Sequence, residues 1–247
     1  MLTHSQADRV RNPHIARDEY RLLTTLADAG LPVPQALYLS ERHRPPFLIT
    51  GFVEGTTDIS AARERDFPKT LAGVLRRIHA LDLCRFDLSY LPKLNDRIAM
   101  DSSPPAPAQR RILAAMWRAL PGLKFNAPAL LHGDFWPGNL LWQGGELAAI
   151  IDWEDAMLSD PLADLGKSRL EILWACGVEA MEVYTAHYLS LNQGLDASAL
   201  PFWDLWGASR LAHYASFALD AQAAARMSGQ YRAFVEDAIR RLDRIQK

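Results

Sequence analysis

Apolar residues recur along most of this chain at the three-to-four-residue interval of an amphipathic helix, and they run together only in a few short stretches. Ile15, Leu22, Leu23, Leu26 and Ala29 follow that interval after Asn12-Pro13, an N-terminal capping pair, and Gly30 ends the pattern. Leu31-Pro32-Val33-Pro34 cannot continue it, because each proline removes a backbone donor and restricts its predecessor. Strands are expected over residues 36–39 and 47–50, joined by a turn over 42–46. Leu71, Val74, Leu75, Ile78 and Leu81 mark the next helix, with His79 beside its apolar face as a packing or solvated histidine. Further helices are expected over 104–119 (stopped by Pro121-Gly122), from Pro161 to Gly177, over 178–191, over 201–227, and from Gln230 onward. Trp174, Trp203, Trp206, Tyr214 and Phe217 are spaced as packing residues on these helices. The pattern predicts an α+β protein whose strands lie early and whose later chain is mainly helical.

Two short apolar runs break the helical rhythm, residues 140–142 and 147–151, with Gln143-Gly144-Gly145-Glu146 between them. Paired glycines between such runs predict a hairpin, since glycine reaches positive φ without steric cost. The hairpin starts just after His132-Gly133-Asp134-Phe135-Trp136-Pro137-Gly138-Asn139 and ends at Asp152, so Asn139 and Asp152 should come together. His132, Asp134 and Asn139 meet the H-x-D-x-x-x-x-N pattern of kinase catalytic loops. Phosphoryl transfer needs one carboxylate to accept the proton of an attacking hydroxyl, here Asp134. It also needs oxygen ligands for magnesium, here Asn139 and Asp152. Taken singly, each of these residues has a plainer reading as a turn former, a cap or a satisfied loop histidine; Asp160 before Pro161 looks like a helix cap. A metal hydrolase built on His132, Asp134 and Asp152 would lack the H-x-x-x-H or Cys/His clusters that usually accompany one.

On these segments the sequence resembles the aminoglycoside phosphotransferase family, small-molecule kinases of the protein-kinase-like superfamily. The carriers are the HGDxxxxN loop at 132–139, Ile151-Asp152-Trp153-Glu154, and Ser159-Asp160-Pro161-Leu162-Ala163-Asp164-Leu165, with Ser159 where glycine is usual. The likeness extends from about residue 12 to the C-terminus. It implies a two-lobed fold, with a small β-rich lobe over 1–53 and a helical catalytic lobe over 54–247. It also implies ATP and magnesium as cofactors, and a hinge at Thr50, Gly51, Phe52 and Val53 whose backbone meets the adenine. By the same resemblance Asp134 is the base and Asn139 and Asp152 bind the metal. His132 orients the loop, Asp160 and Asp164 brace it, and Glu19 partners a phosphate-contacting cation. The family's glycine-rich loop and cation-bearing strand have no counterpart before the first helix, where Leu2-Thr3-His4 would be the stub of that strand and the first lysine is Lys69. The expectation is therefore a truncated small lobe. Either the natural start lies upstream, or Arg9 or Arg11 supplies the cation, or the protein is a catalytically impaired nucleotide- or partner-binding module.

Composition changes this picture little. With 247 residues, 27 basic and 29 acidic side chains, the net charge is −2, which carries no nucleic-acid footprint. Cys84 and Cys176 match no metal spacing and read as buried thiols of a cytoplasmic protein, and no run is long enough to span a membrane. The partner expected is a small hydroxyl-bearing acceptor. Glu154, Asp155, Glu179, Glu182 and Asp204 could bind a cationic one, though each reads more simply as a solvated helix face. Sugar, amino alcohol, hydroxy acid and antibiotic hydroxyls all remain open.

Overall fold

Ile15, Glu19, Leu22, Leu23 and Leu26 form one buried stripe along α2 (Ile15–Asp28), so the helical spacing of the sequence becomes a face in the computed structural model, which describes residues 4–58, 66–94, 107–212 and 220–245. The helix starts two residues later than its Asn-Pro pair suggests. Asn12 instead closes a preceding short helix, α1 (Gln6–Arg11), and its Oδ1 accepts from the backbone of His14 at 2.9 Å. Ser5 caps α1 by accepting from the Asp8 amide at 3.1 Å. The chain after His4 is thus helical, and the expected strand stub is not continued there; Leu2 and Thr3 lie outside the described residues.

Strands β1 (Ala36–Ser40) and β2 (Phe47–Thr50) pair antiparallel, Leu39 opposite Leu48, and pack on α2. The connector that follows exchanges hydrogen bonds of 2.9 Å in both directions between Thr56 and Trp142. That ladder joins it to the second hairpin, β4 (Leu140–Gln143) and β5 (Glu146–Ile150), which turns as expected through Gly144 and Gly145, both at positive φ. A third pair was not legible in the sequence. The three-residue strands β3 (Ala129–Leu131) and β6 (Met157–Ser159) lie antiparallel, Leu131 opposite Met157, and are too short for a periodic signal.

The helical part contains α3 (Phe67–His79), α4 (Pro107–Ala119), α5 (Leu162–Cys176), α6 (Val178–Leu191), α7 (Leu200–Arg210) and α8 (Ala221–Ile245). Two boundaries correct the sequence reading. The helix expected over 201–227 stops at Arg210, with Tyr214 and Phe217 outside the described residues. Ser228-Gly229 does not interrupt α8 either. A mid-helix glycine costs about 1 kcal/mol, which the burial of Tyr231, Phe234, Val235, Ala238, Ile239 and Leu242 on one face readily offsets. The thiols also differ from expectation, Cys84 being exposed and Cys176 half-buried.

Helix α5 is the axis of this part. It is buried almost all round, packed on α7, α6 and α8, as a helix without a strong polar face must be. Trp203 and Trp206 of α7 are buried against it as packing residues, and Trp174 is half-buried. Inside this apolar contact Arg169 of α5 donates from Nε to Oδ1 of Asp204 at 2.8 Å and from Nη1 to Thr185 at 2.5 Å. Arg241 of α8 reaches the other Asp204 oxygen at 3.4 Å. Among the described residues no helix is long and apolar enough to cross a membrane.

Candidate active site

The β3–β6 pair brings together two loops that are remote in sequence. The loop after β3 carries His132, Gly133 and Asp134, and the chain after β6 carries Asp160 and Asp164 at the start of α5. Asp164, almost wholly buried, accepts from the backbone amides of His132 at 2.7 Å and Gly133 at 2.9 Å. His79 at the end of α3 donates to it from Nε2 at 3.2 Å, and the Nδ1 of that ring meets the Tyr188 hydroxyl at 2.6 Å. Burial alone would raise the Asp164 pKa. The hydrogen bond and charge of His79, together with the Gly133 amide, outweigh it and hold the carboxyl below its ordinary value. Asp160 caps α5, its Oδ1 accepting from the Leu162 amide at 2.9 Å, and its other oxygen takes the Asn126 amide at 2.8 Å. Both aspartates therefore hold loops.

His132 is completely buried, packed at a tilt against Trp153 with ring centroids 4.5 Å apart. Its Nε2 lies 3.0 Å from the Ile151 carbonyl and its Nδ1 3.2 Å from the Asp134 amide. Those partners require a neutral ring, with the proton on Nε2 donated to the carbonyl and Nδ1 accepting. Burial, the largest influence, lowers the pKa in the same direction. With both nitrogens engaged by the backbone, His132 is unavailable as a metal ligand, which removes the hydrolase alternative.

Asp134 is the partly exposed member of the loop, its side chain 31% accessible. Asn139 donates from Nδ2 to the Asp134 carbonyl at 2.9 Å and to its Oδ2 at 3.0 Å. That pairing uses the Nδ2 donor and leaves Asn139 Oδ1 as an oxygen that could bind a cation. The hairpin does what the glycines imply. Leu140 pairs with Ile150, and the Asn139 carbonyl accepts from the Ile151 amide at 3.0 Å, so Asn139 and Asp152 stand across the base of the ladder. Asp152 adopts φ 67°. Its side chain reaches solvent, yet the surrounding protein removes enough water to push its pKa up to about 6, and the charges of Asp134, Glu19, Asp155 and Asp8 add to the shift. Glu154, beside it, is pushed up to about 7 by burial first and then by Asp152, Asp8 and Asp155. An excess of carboxylate next to a free amide oxygen suits a hard divalent cation that keeps part of its water. Among the described residues no group of three His, Cys, Asp or Glu could hold a metal ion; Asn139 and Asp152 are oxygen-bearing side chains that could take part in binding one.

Glu19 has a partner that the sequence reading passed over. His4 Nε2 lies 2.6 Å from Glu19 Oε2, both side chains buried. Burial disfavours the charged ring, but the hydrogen bond and charge of Glu19, aided by Glu154 and Asp8, leave its pKa above the ordinary histidine value. Arg9 and Arg11, the expected substitutes, are engaged elsewhere. Arg9 donates to the His4 carbonyl, and Arg11 pairs with Asp155 at 2.8 Å and Asp8 at 3.2 Å. The signal was available, because Glu19 falls on the apolar stripe of α2, where an acid needs a buried partner.

Lys167 was also missed. Its ammonium bonds Oδ1 of Asp134 and lies 3.4 Å from Glu171 Oε1, with only 5% of its side chain accessible. Asp164, Lys167 and Glu171 follow an i, i+3, i+7 interval, which sets them on one face of the helix. Of the residues expected at a hinge, Gly51 bonds the Gln35 carbonyl at 2.8 Å, Thr50 ends β2, Phe52 is 91% exposed and Val53 is half-buried. Among the acids considered for a cationic acceptor, Asp204 is buried on Arg169 and Asp155 is paired with Arg11 and Arg210, while Glu179 and Glu182 are exposed on α6.

Gly133 closes the loop at φ 82°, and a Cβ there would fall 2.1 Å from the Asp155 carbonyl oxygen. Gly133→Ala is expected to destabilise the fold by about 2–4 kcal/mol, from a left-handed residue plus a backbone clash. Chemical denaturation checks this; a change below about 1 kcal/mol, within the range of an ordinary surface substitution, would mean that the loop relaxes freely.

Residues 6–200 match the profile of the phosphotransferase enzyme family. The aminoglycoside 3'-phosphotransferase of Niallia circulans is 29% identical over 202 residues, 76% of each chain. Acyl-CoA dehydrogenase family member 10 of Mus musculus is 30% identical over 178 residues, 64% of this chain. This chain spans only 17% of that mouse protein and 25% of the acyl-CoA dehydrogenase family member 11 of Gallus gallus. Among solved structures, an aminoglycoside phosphotransferase in ternary complex with AMP-PNP and hygromycin B superimposes with a TM-score of 0.64 at 20% identity, covering 90% of this chain and 82% of that one. An amicoumacin kinase bound to AMP-PNP and Ca2+ gives 0.62 at 13% identity over 92% and 79%. At these identities the likeness establishes the fold, a kinase-like α+β architecture with a mainly helical later part.

Proposed function

Because the chain belongs to the phosphotransferase enzyme family, we propose that it is a small-molecule kinase that moves the terminal phosphoryl group of ATP to a hydroxyl of an organic acceptor. The observation that carries this reading is the Asp134 carboxylate. It is partly exposed, oriented by Asn139, and set on a loop that the buried Asp164 and His132 hold through backbone amides. In the proposed step Asp134 takes the hydroxyl proton while the acceptor oxygen bonds the terminal phosphorus. The bond from that phosphorus to the bridging oxygen breaks, and ADP leaves with the electron pair. Asn139 Oδ1 and Asp152 would hold magnesium, which when bound neutralises phosphate charge. The backbone at Thr50, Gly51, Phe52 and Val53 would meet the adenine, as the connector between residues 1–53 and 54–247. Supporting that role, the connector is anchored on both sides, at Gln35 and at Trp142. Use of ATP fits a cytoplasmic setting.

The acceptor is tested by measuring ADP formation with aminoglycosides (the substrates named for the Niallia relative), sugars, amino alcohols and hydroxy acids, with and without magnesium. Magnesium-dependent ADP formation with one class is the expected result. A folded protein that leaves ATP intact with all of them is what a binding module would give, and it would overturn the kinase reading. Asp152→Asn is expected to weaken magnesium-dependent ATP binding by about tenfold or more, since even outer-shell changes at metal sites cost that much. Calorimetric titration with and without the cation reads it; an unchanged magnesium dependence would remove Asp152 from the site.

A further inference from the structure

A carboxylate that acts as a base must present a lone pair in a fixed direction, yet the terminal torsion of an aspartate is broad and weakly restrained. In this protein the two oxygens of Asp134 are held from different elements. Oδ2 accepts from Asn139, at the start of the β4–β5 hairpin, and Oδ1 accepts from the Lys167 ammonium on α5. Each oxygen keeps a second lone pair, and the side chain remains partly open to solvent, so the contacts set the carboxylate plane without closing it off.

Lys167 is itself built in. Its side chain is buried, and Glu171, one turn further along α5, places a carboxylate oxygen 3.4 Å from its ammonium. Burial pushes the Glu171 pKa up to about 7 even though Lys167 pulls the other way, and the Glu171 Oε2 atom is buried without a hydrogen bond. One ammonium faces two carboxylates and makes its closer contact with Asp134. The backbone beneath it is equally fixed, because α7 crosses α5 at this point through Gly207. A Cβ on Gly207 would lie 2.5 Å from the Lys167 Cα, so only glycine lets the helices approach this closely.

We infer that Lys167 is a positioning residue for the transfer step: its ammonium, braced by Glu171, fixes the Asp134 carboxylate toward the acceptor hydroxyl. This rests on the kinase reading above and adds to it the group that orients the base. An ion pair that served stability alone would be expected to affect the melting temperature and leave turnover by the folded protein unchanged. A positioning cation affects turnover itself.

The test compares the parent with Lys167→Met, which keeps the length of the stem and loses the charge. The readout is ADP formation from magnesium ATP with water and with the hydroxyl panel. The expected result is a fall in kcat of about 10- to 100-fold, the scale on which misorientation of a reacting group acts, with the KM for ATP nearly unchanged. A second variant separates charge from packing. Lys167→Cys treated with 2-bromoethylamine regains an ammonium at nearly the same reach, and should recover most of the lost turnover. The same variant treated with neutral iodoacetamide should not, and the parent treated in parallel controls for reaction at Cys84 and Cys176. Turnover by Lys167→Met within twofold of the parent, or equal rescue by the neutral adduct, would overturn the role of Lys167 while leaving the kinase reading intact. No ADP formation by the folded parent under any condition would overturn the kinase reading and this role with it.

Discussion

Asp134→Asn is expected to lower phosphoryl transfer by about 10²- to 10⁴-fold, the contribution usual for a positioned general base, while leaving magnesium ATP affinity close to that of the parent. The substitution retains shape and keeps an oxygen for Lys167 or Asn139 to bond, so the loop should stay folded around it. What is lost is the capacity to take a proton. Asp152→Asn should behave differently, because its loss falls on nucleotide binding in the presence of the cation. The pair of variants therefore separates proton transfer from metal-dependent binding within one site. Single-turnover rates alongside calorimetric affinities are the measurement. Equal rates for Asp134→Asn and the parent would dismiss the assignment of the base.

The largest effect on stability is expected at Arg169. Asp204 is 1% exposed, and its pKa is held above the ordinary carboxyl value by burial despite the opposing pull of Arg169 and Arg241. Arg169→Met leaves that carboxylate with Arg241 alone, at 3.4 Å and partly in solvent, and leaves Thr185 without the guanidinium. Removing one partner of a buried pair costs about 3–5 kcal/mol. For a chain of this size that corresponds to a fall of roughly 10 °C in the melting temperature. Because exchanging both partners for apolar residues is often nearly neutral, the double variant Arg169→Met with Asp204→Leu should recover much of the loss. A single variant that melts within a degree or two of the parent would show that water reaches Asp204.

Much of the site was legible because its signals are local. The H-x-D-x-x-x-x-N loop, the glycine pair and the aspartate ending the second apolar run lie within 21 residues, 132 to 152, and a hairpin is a short-range object. Its pairing of Leu140 with Ile150 follows from the turn. Helix spans followed from apolar periodicity, with errors at ends and breakers. Asn12 proved to close one helix where it was expected to open the next, and Gly229 proved tolerable because a buried face runs on past it. His4 and Lys167 escaped notice for a different reason. A charge on an apolar helix face signals that a partner exists, and nothing in the one-dimensional pattern says which residue it is.

The sequence by itself therefore determined which groups are available: a carboxylate, an amide oxygen and a second carboxylate in order along the chain, around a hairpin of known turn geometry, followed by helices with defined apolar faces. Only the tertiary structure decided how that chemistry is held. The three-residue strands β3 and β6 carry no period, yet their pairing delivers Asp164 to the amides of His132 and Gly133 across some thirty residues of sequence. The crossing of α5 and α7 at Gly207 then sets Lys167 against Asp134. The physical reason is the range of the forces involved. Turn geometry and helix periodicity act between neighbours in sequence, whereas desolvated hydrogen bonds and ion pairs depend on which surfaces the folded core has pressed together.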